Sequence, residues 1–328
     1  MNKRERVDAV LAGQTPDRPP LSFWHHFGPD EGFGPRAVEA HLRFLETYDL
    51  DFLKIMDDNR YPRTFNRQGL LASVEDFAAL SVLRGDEDTF GRQLELIGEL
   101  ARRLDGQVRM PTTLFNSWST LRHLAAPEPR HHGPPPPTAP PHPGDALLAR
   151  AFQEAPAALA RALDVIAESL ANFARKAVTA GADGVFLSVR DDWVDTPENG
   201  PGTYARLVQP GDDTILAGSA GGTFNILHVC GQALDFQRFA GYPVQALNWA
   251  DRQAGPAIRE IAGWLRPALC AGLDHRDTLA RGSPDDCLRE LHDAIAQAGG
   301  RPLMIAPGCT FDPEVVPPEN LHALRRKG

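Results

Sequence analysis

The chain has 328 residues, with 34 Lys and Arg against 43 Asp and Glu, giving a formal charge of −9. Hydrophobic residues make up 42% and charged ones 23%, as in a soluble globular protein large enough for a barrel-sized core. The acidic balance argues against nucleic acid as the main partner, no stretch reaches the roughly 18 apolar residues of a membrane span, and 4 cysteines are too few for a disulfide framework.

The opening residues Met1 to Arg6 lead into no apolar segment of the secretory kind, so a cytoplasmic location is expected. Along the chain, apolar runs at 20–24, 52–58, 109–115, 184–189, 224–230, 245–250, 268–274 and 302–308 read as strands. Helical spacing fills the intervals at 36–48, 90–104, 145–180, 256–265 and 285–298. Eight strand-then-helix units predict an α/β fold, a parallel sheet closed into a (β/α)₈ TIM barrel that takes 1–328 as one domain. An open doubly wound sheet is the rival. It lacks its phosphate fingerprint, since no G-x-G-x-x-G occurs and Gly221-Gly222 precedes a strand instead of following one. Proline-rich residues at 127–144 cannot sustain a helix or a central strand and are expected to form a surface loop. Low complexity gives His131, His132 and His142 no fixed scaffold for a metal.

In such a barrel the chemistry gathers where strands end on the C-terminal face. The first strand ends at His25 and His26, the second at Asp57 and Asp58, the third at Asn116 and Ser117. Later strands end in Ser188 and Arg190, in His228 and Cys230, in Asn248 and Asp251, in Asp274 and His275, and in Gly308-Cys309. His228 and Cys230, two apart on one strand, project to the same side of the sheet. With Cys309 they offer one imidazole and two thiolates, a donor set suited to Zn²⁺ with a fourth position left open. An open zinc site can hold a substrate thiol as thiolate near neutral pH and make it a nucleophile. The alternative is that both cysteines are small buried apolar residues, as free cysteines often are. Cys270, inside a strand, and Cys287, on a helix, read as packing. Asp57-Asp58 reads equally as an acid/base pair with one raised pKa or as a solvated helix cap. His25-His26, between Trp24 and Phe27, lines a pocket or packs the rim.

Four segments, in the same order and at similar separations, resemble the uroporphyrinogen decarboxylase superfamily of (β/α)₈ barrels. They are Arg6-Val7 with Leu11-Ala12-Gly13 and Pro16-Asp17-Arg18-Pro19-Pro20, then Asn225-Ile226-Leu227-His228-Val229-Cys230-Gly231, then Gly272-Leu273-Asp274 with Gly282-Ser283-Pro284, and Ile305-Ala306-Pro307-Gly308-Cys309 with Pro318-Glu319-Asn320-Leu321. The resemblance spans nearly the whole chain and implies one of two chemistries. One is cofactor-free decarboxylation of uroporphyrinogen. The other is zinc-dependent methyl transfer from methylated corrinoid proteins to thiols such as coenzyme M, with zinc on His-x-Cys of the fifth strand and a cysteine of the eighth. Those positions match His228, Cys230 and Cys309. The decarboxylase branch is similar at fewer points. Where it carries arginines for substrate carboxylates, this chain reads Ser22-Phe23-Trp24-His25-His26-Phe27-Gly28, with no arginine between Arg18 and Arg36.

The sequence therefore points to a methyltransferase with Zn²⁺ on His228, Cys230 and Cys309. The expected partners are a small thiol acceptor and a corrinoid protein or similar methyl donor, while Asp57, His25, His26 and Asn248 shape the mouth and orient the acceptor. A decarboxylase (carboxy-lyase) and a non-catalytic metal-binding barrel stand as alternatives. Either Asp274 or another acid at the rim is a candidate fourth ligand.

Overall fold

The computed structural model describes residues 1–126, 142–232 and 234–325. Six parallel strands follow one another in chain order across one sheet: β1 (Pro111–Phe115), β2 (Gly184–Val189), β3 (Ile226–Val229), β4 (Ala246–Trp249), β5 (Ala268–Leu273) and β6 (Leu303–Pro307). All but one strand residue is buried, as a sheet covered on both faces by helices requires. Two further extended segments close the ring. Residues 20–22 pair with β6, where Ser22 N donates to Ile305 O at 3.1 Å and Ile305 N to Pro20 O at 2.8 Å. Residues 52–55 pair with β1, where Leu53 N donates to Arg109 O at 2.9 Å and Thr113 N to Ile55 O at 3.0 Å. The two segments meet through Asp51 N donating to Leu21 O at 2.8 Å and the Ser22 hydroxyl donating to Phe52 O at 2.7 Å. Together they make the (β/α)₈ barrel that the hydrophobic rhythm predicts.

All eight expected strand positions are occupied, with the ends trimmed by a residue or more nearly everywhere. The expected helix over 145–180 is two helices, Pro143–Glu154 and Pro156–Ala180. Pro156 has no amide hydrogen to continue the first, and the residue before a proline is pushed from the helical region; Ala155 sits at φ −144°, ψ 56°. The expected helix at 256–265 shrinks to Ile258–Ile261. Most of the proline-rich loop at 127–144, with His131 and His132, lies outside the described residues. His142 lies within them and caps the helix that follows, accepting from Gly144 N at 3.1 Å. Among the described residues no helix is long and apolar enough to cross a membrane.

The base of the barrel is locked by charge. Asp51, fully buried at the start of the second segment, accepts from Arg6 (2.7 Å), Arg18 (2.7 Å), Arg325 (2.9 Å) and Leu21 N (2.8 Å). These partners come from the first helix (Lys3–Leu11), from the Pro16 to Pro20 turn and from the C-terminal segment, so one carboxylate ties both ends of the chain to the sheet.

Candidate metal centre

Parallel strands in register bring Ser188, His228 and Asn248 to one level on β2, β3 and β4. Cys230 lies one residue past β3, where its N–H still donates to Val189 O at 2.8 Å, and this extends the pleat and sets the side chain on the His228 side. Cys309 follows β6. The glycine between them, Gly308, lies against the end of β4, and a Cβ there would come within 2.5 Å of Ala250 Cα. Gly231, next to Cys230, has φ +124° and no space for a side chain beside the Asp192 carboxylate. Each cysteine is thus placed by a glycine neighbour that lets the backbone approach closely.

The result is a cluster in which the ligand atoms of His228, Cys230 and Cys309 all lie within 4.8 Å of one another. Tetrahedral zinc with bonds of about 2.0–2.3 Å sets its ligand atoms roughly 3.3–3.8 Å apart, so the cluster needs only a small contraction to fit. His228 is also turned correctly. Asn248 Nδ2 donates to Cys270 O at 2.7 Å and Pro307 O at 3.1 Å, which leaves Oδ1 to face the imidazole. His228 Nδ1 lies 2.6 Å from that oxygen and must carry the hydrogen, so Nε2 keeps a free lone pair. Phe186 stacks on the ring, 5.3 Å between centroids, and fixes its plane.

The two thiols are coupled. A hydrogen bond from Cys230 pulls Cys309 well below the usual thiol range against the opposing effect of burial, with His228 helping. The same bond, with burial, pushes Cys230 well above it. One proton therefore leaves the pair readily and the second only with difficulty, as suits a site that a cation completes. Both cysteines keep part of their surface open, whereas His228 is buried.

The other expected residues each have partners of their own. Asn248 contacts His228 and not open space. His26 Nδ1 pairs with Asp58 at 2.6 Å, and His25 Nδ1 contacts His26 O at 2.6 Å. His25 also sits among the rings of Phe27, Phe44 and Phe311, where burial lowers its pKa. Asp57 accepts from Arg60 N at 2.9 Å and borders a crevice with Arg60, Arg63 and His123. Burial raises its carboxyl to about 6, opposed by Arg60. Asp274 is occupied as a loop cap: one oxygen accepts from Gln253 Nε2 (2.8 Å), Arg276 N (2.8 Å) and Asp277 N (3.0 Å).

His275 was expected only as a strand-end residue, and Lys54 was not expected at the site. His275 is buried with Nδ1 unpartnered, and burial lowers its pKa while the neighbouring Cys309 opposes the change. Lys54 is buried in the second segment, its ammonium 4.6 Å from the Phe186 ring centroid and 5.5 Å from that of Trp24. The signal for Lys54 was present in the sequence as one cation inside the apolar run Phe52-Leu53-Lys54-Ile55-Met56.

A (β/α)₈ barrel with an imidazole and two sulfurs gathered at its C-terminal rim is the class that fold and site define together. The family model for uroporphyrinogen decarboxylase (URO-D) matches residues 142–327, more than half of the chain, and the chain belongs to that family. No curated protein sequence matches it. Among solved structures, a methyltransferase from Methanosarcina mazei is similar over 99% of this chain and 97% of that one, with a TM-score of 0.68 at 18% identity. A B12-independent methionine synthase from Shewanella sp. W3-18-1 is similar over 70% of this chain and 64% of that one, with a TM-score of 0.45 at 11% identity.

Proposed function

We propose that this barrel is a zinc-dependent methyltransferase, which moves a methyl group from a methylated corrinoid protein or similar donor to the sulfur of a small thiol. The convergence of His228, Cys230 and Cys309 within 4.8 Å carries the reading. Zinc bound there would hold the acceptor sulfur as a thiolate near neutral pH. The chain's own residues do the rest. Asn248 keeps the His228 hydrogen on Nδ1, and Phe186 holds the ring in plane. The cysteines, both only partly buried, would leave the fourth side to the acceptor. His25, His26 and Asp57 wall the entrance and orient the acceptor. The fold likeness to the Methanosarcina mazei structure, described as a methyltransferase, agrees with this reading. A soluble cytoplasmic enzyme is the matching cellular setting.

Metal analysis tests it. The purified protein should hold about one zinc per chain, and Cys230→Ala/Cys309→Ala below about 0.2. Zinc absent from the native protein, or equal in both, defeats the proposal. Methyl transfer from methylcobalamin to a thiol should follow the zinc content.

Decarboxylation is the second reading, favoured by the half-buried Asp57 carboxyl, raised to about 6, after the second strand. Anaerobic incubation with uroporphyrinogen in the presence of a chelator separates the two, because that chemistry needs no metal.

A further inference from the structure

Among the described residues, Lys54 is a buried cation without a counter-ion. Only 5% of its surface is exposed, and its single hydrogen-bond partner is the Met56 thioether, a weak acceptor, at 3.2 Å. Among the described residues no carboxylate lies within ion-pair distance of it. The acids that act on it from further away are engaged elsewhere: Asp58 with His26 and with Phe27 N, Asp57 with Arg60 N. The third anion acting on it is the Cys309 sulfur, which the zinc reading commits to the metal. Two aromatic faces remain, and cation–π attraction of about 0.5–2 kcal/mol falls short of the several kcal/mol needed to strip water from an ammonium. Burial accordingly draws the Lys54 pKa down to about 8.

The place of this charge gives it a use. Phe186 is shared: its ring stacks on His228 and lies under the Lys54 ammonium, so one side chain touches both the cation and the sulfur–imidazole cluster. We propose that Lys54 is an anion-binding group of the barrel's ligand site, and that the small molecule taken there carries a compact oxyanion, a carboxylate or a phosphonate. Assigning that anion to the thiol acceptor rests on the methyltransferase reading; the anion site itself does not.

Trp24, 5.5 Å from the ammonium, supplies a fluorescence readout independent of turnover. Native protein, with and without a chelator, is titrated with propionate, ethylphosphonate and the neutral control propionamide, and Trp24→Phe identifies the signal. At least one oxyanion should bind about tenfold or more tighter than propionamide, and the better of the two names the anion class. Lys54→Met should erase the preference and Lys54→Arg should keep part of it. Equal binding of oxyanions and propionamide by native protein overturns the proposal, whatever the variants do, and so does a preference that survives in folded Lys54→Met. The two readings fail separately. A zinc-free native protein that still prefers the oxyanion removes the methyltransferase and leaves the anion site. A zinc-loaded protein without the preference does the reverse.

Discussion

Asp51 and Lys54 lie three residues apart on one extended segment, both buried and both charged, yet their surroundings are opposite. Asp51, at the base, is met by three guanidiniums and a backbone amide. Lys54, three residues nearer the mouth, is met by a sulfur and two ring faces. A buried charge with every partner supplied by the chain holds the fold together. A buried charge left short of partners weakens the fold, and is a position where a ligand can complete what the chain omits. The barrel thus divides its work as others of its architecture do, with stability at the N-terminal ends of the strands and chemistry at the C-terminal ends.

The largest effect is expected at the base. Asp51→Ala leaves Arg6, Arg18 and Arg325 without their shared anion and should cost about 3–5 kcal/mol in chemical denaturation. A loss below about 1 kcal/mol would make the cluster ornamental and remove the contrast. The same carboxylate sets an acid limit. Burial pulls its pKa up, but the Arg18 hydrogen bonds and the Arg325 charge outweigh this and hold it below the ordinary carboxylate value. Its contribution is therefore complete above the unfolded pKa of about 4 and is lost as the pH falls through the lower, folded value. Native protein should lose stability across that acid window, and Asp51→Ala should lose less of it.

At the mouth, Asn248→Leu removes the acceptor for His228 Nδ1–H and two donors to Cys270 O and Pro307 O. With the imidazole free to turn, zinc affinity in a chelator competition should fall about 10–100-fold while the zinc-binding residues stay in place. Unchanged affinity would mean that Phe186 stacking alone orients the ring.

How much of this was legible in the sequence follows from the same division. The strands were legible because each is a buried parallel strand and therefore a nearly continuous apolar run, as in Gly184–Val189, where expected and observed ends coincide. Cys230 and His228 were legible because the pleat fixes a side-chain period of two. Short helices such as Ser117–Leu124 and Thr203–Leu207 were missed because one or two turns carry too little periodicity to stand out. The role of Asn248 was not legible because its partners His228, Cys270 and Pro307 come from three different strands. Pairing across the barrel also decides that Arg18, which reads as part of a turn, is a bolt on Asp51 and that Asp274 caps its own loop. Lys54 carried a signal, a cation in an apolar strand, but only the closed barrel reveals the absence of a counter-ion.

The smallest expected change, and the most discriminating, is Lys54→Met. The side chains are similar in length, and removing an unpaired buried charge should leave stability at pH 7 unchanged or raise it by about 1 kcal/mol, against the large loss at Asp51. The sign of its pH dependence can be worked out. With a folded pKa of about 8 against about 10.5 unfolded, the unfolded chain binds more protons between those values, so this lysine makes native stability rise with pH across that window. Other titrating groups act there too, and the difference between native protein and Lys54→Met isolates this one. That difference should move steadily in favour of the native protein from pH 7 towards pH 10. A saturating oxyanion should move it the same way at pH 7, because the ligand supplies in the native protein the partner that Asp51 finds within the chain. A difference flat in pH and indifferent to the oxyanion would show Lys54 to be as well satisfied as Asp51, with the two ends of the segment alike.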